Sequence, residues 1–280
     1  MLNFGRGKNL KRVIPGFGLS MGITVTMLSV FILIPLASVL IYSANLSIEQ
    51  FWKLISKDVV KYAFITSISC SLIAAFINCI FGTVLAWILV RYDFVGKNLL
   101  NGMIELPFAL PTAVAGITLS KMYSDTGFLG QYLAKVGIQV SYTHLGIIIA
   151  LIFVGIPFVV RSIQPILEKL DPSYEEAGNM LGASSSKIFF KIILPELKPA
   201  MLTGFGLALA RGLGEYGSVI YISGNSAREH TQVISYVIMQ KLNYVDYASA
   251  TAIALVMLVI SFLLLFVVNM VQLHQAKRVS

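Results

Sequence analysis

Residues 170–195 read Leu170-Asp-Pro-Ser-Tyr-Glu-Glu-Ala-Gly-Asn-Met-Leu-Gly-Ala-Ser-Ser-Ser-Lys-Ile-Phe-Phe-Lys-Ile-Ile-Leu-Pro195, a polar insert dense with helix signals in a very apolar chain. Asp171 followed by Pro172 makes an N-cap and first-turn pair, Ser173 with Glu176 matches a capping box, and Gly182 is a natural stop. The spacing predicts a short helix over about Ser173–Leu181, a turn, then an apolar helix over about Ser184–Leu194. Pro195 and Pro199 would lead out of it. Such a short capped helix is either a solvated connector or a rigid knob for a soluble partner. Local physics leaves both readings open.

The insert is polar only by contrast. Of 280 residues 57% are hydrophobic and 12% charged, against about 25% charged in an ordinary soluble domain. Mean hydropathy is +0.82. This composition excludes a disordered chain, a disulfide-framed module and a conventional water-soluble enzyme, and leaves a polytopic all-α membrane protein. The net charge of +8 fits cationic loops against an anionic membrane surface. No nucleic-acid module accompanies it. Cys70 and Cys79 fall on opposite faces of one helical stretch, so they cannot pair and read as packing residues.

A bilayer core needs about 20 apolar residues per helix. Runs of that kind cover about Leu19–Tyr42, Tyr62–Val90, Leu99–Ser120, Tyr142–Val160, Met201–Gly224 and Ala248–Leu273, giving six spans in a membrane domain over 19–273. The first follows a basic start, 1–18, with Arg6, Lys8, Lys11 and Arg12. It is too long for a signal-peptide core and reads as uncleaved. The third contains Glu105, Pro107 and Pro111, and the fifth Arg211 and Glu215, which spanning helices accept only where protein or water satisfies them. Both ends are basic, with Lys277 and Arg278 in the tail 274–280, so an even count puts both termini in the cytoplasm. About 13 Lys and Arg then lie inside and about seven outside, the sense of the positive-inside rule. The loop 161–200 is cytoplasmic in this arrangement. The outer stretches Ala44–Lys61 and Asn225–Tyr247 have room for a surface helix each, and no stretch could hold a soluble catalytic domain.

In the insert, Glu176-Ala177-Gly178, then Gly182, then Ile192-x-Leu194-Pro195 at fixed gaps resembles the EAA loop of ABC-importer permeases, with Gly178 where alanine is usual. Glycine there would soften the helix slightly. Leu106-Pro-Phe-Ala-Leu-Pro111 and Arg211-Gly-Leu-Gly-Glu215-Tyr-Gly217 look like the sulfate and molybdate branch, and Val219 to Asn225 looks like its CysT type. The resemblance implies the type I importer (MetI-like) permease fold in the bacterial cytoplasmic (inner) membrane. It further implies a coupling helix in which Glu176, Ala177, Gly178, Gly182, Ile192, Leu194 and Pro195 engage an ATPase. The partners it implies are a CysW-like second permease, two CysA-like ATPase subunits and an extracytoplasmic sulfate/thiosulfate-binding protein. ATP-Mg would sit on the ATPase subunits and no cofactor in this chain. A molybdate or tungstate permease, or an ATP-independent secondary transporter or channel, are the alternatives.

The fifth span carries small residues four apart, Gly206, Ala210, Gly214 and Ser218, and Gly204, Ala208 and Gly212. They serve either bundle packing or a tight subunit or gate contact. Arg211 and Glu215, also four apart, are either a self-neutralising pair or a border of the pathway. Pro107, Pro111, Arg211, Gly214 and Glu215 are the candidate pathway or gate residues. With Glu105 counted, the intramembrane tally is one positive and two negative charges. Gly212-Leu-Gly214-Glu-Tyr-Gly217 matches a dinucleotide fingerprint but lies inside a span, where the fingerprint means nothing. No GxxxxGK[ST] loop occurs, so the chain is not expected to hydrolyse ATP. His144, His230 and His274 are too scattered for a metal cluster, and the glycosylation-like Asn45-Leu-Ser47 is discounted.

Overall fold

The computed structural model describes residues 17–279, and side chains as far as residue 274. The basic residues Arg6, Lys8, Lys11 and Arg12, and the side chains of Lys277 and Arg278, lie outside what is described. Among the described residues the secondary structure is helical throughout. Five helices are long and apolar enough to cross a membrane: α1 (Phe17–Ser43), α3 (Asp58–Arg91), α8 (His144–Lys169), α10 (Ser185–Leu213) and α13, whose apolar part is Tyr247–His274 of Tyr247–Val279. Between them lie α2 (Ile48–Ile55), α4 (Lys97–Met103), α5 (Leu106–Ala109), α6 (Thr112–Tyr123), α7 (Gly130–Lys135), α9 (Ser173–Met180), α11 (Val219–Ile222) and α12 (Ile234–Asn243).

The core is the packed trio α3, α8 and α10, with α13 against α10. Small residues let the backbones approach. A Cβ on Gly204 would lie 2.7 Å from the Val159 Cα, one on Gly82 2.8 Å from the Val159 Cγ1, and one on Gly155 would collide with the Asn78 amide. Lipid offers no hydrophobic drive between helices, so close packing of this kind holds a membrane bundle together. The first half of α1 buries nothing, while its second half lies along α13. Ser47 and Gln50 form a reciprocal capping box that starts α2, and α12 is pinned by its Ile234 N–H donating to Ser67 Oγ at 2.7 Å. These are the two surface helices expected in the long outer stretches.

Two of the expected spans are built differently. The third is not one helix. Leu110 is extended, as a residue before proline prefers, and Pro111 precedes a fresh start at Thr112. The chain passes through α4, α5 and α6 instead. Asn101 and Glu105 meet Arg161 near the Lys169 end of α8, whereas Ser120 meets Ser141 near its His144 end. The segment therefore still travels the length of the bundle, in three pieces.

The fifth span begins earlier and ends sooner than Met201–Gly224. Pro195 does not break the chain, because a π turn at Phe189–Ile193 widens the ladder just before it, with Leu194 N–H donating to Phe189 O. The expected inner apolar helix and the fifth span thus form one rod of 29 residues, about 43 Å long. Helix α10 stops at Leu213, with Gly214 as its cap. The same device, a π turn at Ser29–Leu33 two residues before a proline, carries α1 past Pro35. The fourth span likewise runs on to Lys169, so that Arg161–Pro165 is helical rather than loop.

Candidate functional site: a capped loop helix and two broken crossings

Helix α9 is short and well fixed. Its start is held by Asp171, whose carboxylate accepts the Ser173 N–H at 2.9 Å, and these bonds to Ser173 pull the Asp171 carboxyl below its ordinary value. The expected Ser173–Glu176 box does not form, because Ser173 already sits in the first turn. Glu175 and Glu176 there complement the helix dipole. At the far end Gly182 has φ +74°, its N–H donates to Asn179 O and that of Ala183 to Gly178 O. This is a Schellman stop, and it requires glycine.

One face of α9 leans on the start of α10. A Cβ on Gly178 would come within 2.9 Å of Ile188 and 3.3 Å of Ile192. Gly178 is thus a seat for neighbouring side chains more than a soft point in the helix, and Ile192 is part of the wall it sits on. Leu194 and Pro195 are half-buried where the π turn rejoins the α-helix. The opposite face stands clear. Glu176 and Ala177 are exposed, and Met180 and Leu181 are 89% and 88% exposed. With Tyr174, they put an apolar tip on a polar helix.

Sequence reasoning missed the tether of this helix. Arg91, the last residue of α3, donates through Nε to Glu175 at 2.7 Å and through Nη2 to Leu170 O at 3.0 Å. Its neighbour Trp87 packs on Phe189 at 4.8 Å between ring centroids. From sequence alone Arg91 is simply one of about 13 Lys and Arg assigned to the cytoplasmic side. The available signal was a cation closing an apolar helix in a chain with a glutamate pair elsewhere.

Four of the five candidate pathway residues, Pro111, Arg211, Gly214 and Glu215, fall where the two broken crossings meet. In the break after α10, Arg211 pairs with the Glu215 carboxylate, which is 3% exposed and also accepts the Ser218 N–H at 2.8 Å and hydroxyl at 2.9 Å. Ser235 donates to the Glu215 carbonyl at 2.8 Å. A buried carboxylate with every neighbour satisfied fixes geometry, so Glu215 bridges the gap from Gly214 to α11. Arg211, with a third of its side chain exposed, is the open half of the pair. A Cβ on Gly116 would collide with the Ser218 carbonyl, and one on Gly217 with Thr112. Helix α6, which starts just after Pro111, therefore touches the break backbone to backbone. Pro107 is buried one segment away, and the adjacent Phe108 meets Phe158 of α8 edge-on at 5.2 Å.

The charge tally also changes. Glu105 accepts from Arg161 Nη2 at 2.6 Å, and Arg161 further binds Asn101 and Gln164. The second intramembrane negative charge is thus answered. In the small-residue rows, Gly204 faces α8, Gly206 faces Val268 of α13 and Gly212 faces Ser71 of α3, so all three serve packing within the chain. His144 and His230 are closer than their separation implied. The His144 ring meets the His230 carbonyl at 3.1 Å and Tyr62 stacks on the His230 ring at 3.6 Å.

Comparison with known proteins bears on these features. The family described as "binding-protein-dependent transport system inner membrane component" matches residues 78–280. The chain is 46% identical over 269 residues to the sulfate transport system permease protein CysT of Escherichia coli, covering 96% of this chain and 97% of that protein. It is 42% identical to the protein of the same description from Synechococcus elongatus, over 89% of each. Among solved structures it resembles a bacterial ABC transporter that imports alginate, with TM-score 0.77, 16% identity and coverage of 92% and 96%. The MetNI methionine ABC transporter gives TM-score 0.55 at 17% identity, with coverage of 84% and 100%.

Proposed function

We propose that this chain, which belongs to the family of inner-membrane components of binding-protein-dependent transport systems, is a CysT-type permease subunit that forms part of the membrane pathway of a sulfate/thiosulfate ABC importer. The observation that carries the reading is the 46% identity to a sulfate permease across nearly the whole of both chains. Helix α9 supports it mechanically. A loop capped at both ends, tethered to α3 and presenting an apolar tip has the form of a handle.

The chain acts without chemistry of its own, and ATP-Mg is held by two separate CysA-like ATPase subunits. Closure of those subunits displaces α9. Because α9 seats on Ile188 and α10 runs unbroken from Ser185 to Leu213, displacement of the handle is carried along a rod to the break at Gly214. The Arg91–Glu175 tie carries the same displacement to α3. At the break, the contact of Gly217 with Thr112 and of Ser218 with Gly116 lets α6 and α11 shift together. Discontinuous helices that meet inside a membrane are where transporters place a pathway. A CysW-like permease completes it, an extracytoplasmic binding protein delivers the anion, and both termini are cytoplasmic.

Reconstitution with the ATPase subunits, the second permease and the binding protein tests this. The expected result is ATP-dependent accumulation of labelled sulfate. Accumulation without ATP or ATPase subunits would overturn the ABC reading, and accumulation of molybdate but not sulfate or thiosulfate would overturn the substrate.

A further inference from the structure

A groove of about 410 Å³ opens where the outer turn of α6 meets α11, at the His144 end of the bundle. Six of its seven lining residues carry a hydroxyl or an ammonium, and the seventh is Ile117. Ser120, Lys121 and Ser124 come from one face of α6 and its cap, with Thr126, Tyr142 and Tyr221 closing it. Five hydroxyl-bearing residues and one lysine thus line the groove, with no carboxylate among them. Asp125 lies next to Ser124 in sequence but does not line it. Lys121 makes none of the ion pairs found among the described residues. Its charge is therefore not answered by an acidic side chain.

The walls are fixed rather than incidental. Ser141 donates its hydroxyl to Ser120 O at 2.8 Å, tying the loop before α8 to the last turns of α6. Tyr142 is held at φ +68°, a conformation unfavourable for a side chain of its size. Two contacts hold it there: its N–H donates to Ile222 O at 2.6 Å, and Gly224 packs so close that an added Cβ would lie 2.9 Å from the Tyr142 Cβ. Strain maintained by its surroundings clusters at binding and switch sites. Immediately below the groove on α6 is Gly116, whose contact with Ser218 is the junction of the two broken crossings.

We propose that this groove is a receiving site for a tetrahedral oxyanion at the outer mouth of the pathway, with Lys121 as its charge and the hydroxyls of Thr126, Tyr142 and Tyr221 as exchangeable donors. The inference rests on the oxyanion-importer reading above and adds where the released anion first meets the permease. Hydroxyls and one solvated ammonium bind a dianion weakly, which suits a waystation, since conduction requires that the ion leave. A deep arginine clamp would trap it.

The test uses the complete reconstituted importer at saturating binding protein and labelled sulfate, with sulfate uptake and ATP hydrolysis measured together. Lys121→Ala is expected to lower sulfate moved per ATP by about three- to fivefold, the scale of a lost exposed charge contact. Lys121→Arg should retain wild-type transport, and Lys135→Ala, an exposed lysine elsewhere on this end, should leave it unchanged. ATP hydrolysis stimulated by the binding protein should stay within about twofold of wild type. Unchanged transport per ATP in Lys121→Ala would overturn the proposal. So would a parallel fall of uptake and stimulated hydrolysis, which would make the groove a docking contact for the binding protein. If the wild-type importer moves another oxyanion and not sulfate, the substrate reading fails, and the same ratio is measured with that anion.

Discussion

The tie between Arg91 and Glu175 should carry force from the handle to α3, and a double-mutant cycle can weigh it. The two side chains are only 15% and 23% exposed and meet at 2.7 Å. Arg91 also holds the Leu170 carbonyl, the last residue before the loop turns. A charge-assisted hydrogen bond in such a setting contributes about 1.5–3 kcal/mol, and about 1.4 kcal/mol is a factor of ten. Arg91→Ala and Glu175→Ala should each therefore cut anion transported per ATP by about ten- to a hundredfold, each leaving a partner charge largely desolvated. The double variant should be less impaired than the product of the two, with a coupling energy of about 1 kcal/mol or more. The assay is uptake and hydrolysis in parallel on the reconstituted importer, with assembly yield as control. Strict additivity, within about 0.3 kcal/mol, would refute a mechanical role for the pair.

Three further outcomes are expected. Gly178→Ala should couple normally, since the nearest atoms belong to the movable side chain of Ile188, whereas Gly178→Leu should prise α9 from α10 and leave ATP hydrolysis unlinked to uptake in the same assay. Gly182→Ala, forced to φ +74°, should lose about 1–2 kcal/mol of loop stability, read as a faster amide exchange of residues 178–183. Gly116→Val would drive a side chain into the Ser218 carbonyl, and its thermal midpoint in detergent should fall by several degrees, the size of a 1–3 kcal/mol overpacking penalty; an unchanged midpoint would show that α6 and the break are not in firm contact.

The readability of the chain differs between segments for physical reasons. The helix Ser173–Met180 was legible because its signals are local: an aspartate before a proline, and a glycine at the stop. Long apolar runs marked the first, second, fourth and sixth expected spans as long helices, since the bilayer demands uninterrupted hydrocarbon surface, but not the break-up of the third or the bounds of the fifth. Prolines were ambiguous. Pro111 ends a helical piece because Leu110 becomes extended, whereas Pro195 is absorbed by a π turn, and the same residue type gives opposite outcomes. Nothing near Pro195 in sequence announces which. Tertiary partners were the other gap. Glu105 met Arg161 from 56 residues away and Arg91 met Glu175 from 84 away, so each charge looked unpaired when read alone. Gly178 read as a flexible point until Ile188 was seen filling the space beside it.

The most direct check places a single cysteine at Met180 or Leu181, on the exposed tip, with Cys70 and Cys79 replaced to remove background. In the assembled importer a short crosslinker should capture the ATPase subunit, with a yield that changes between nucleotide-free and ATP-trapped states. Absence of any capture at either position, in an importer still accumulating sulfate at the expense of ATP, would contradict the assignment of α9 as the handle.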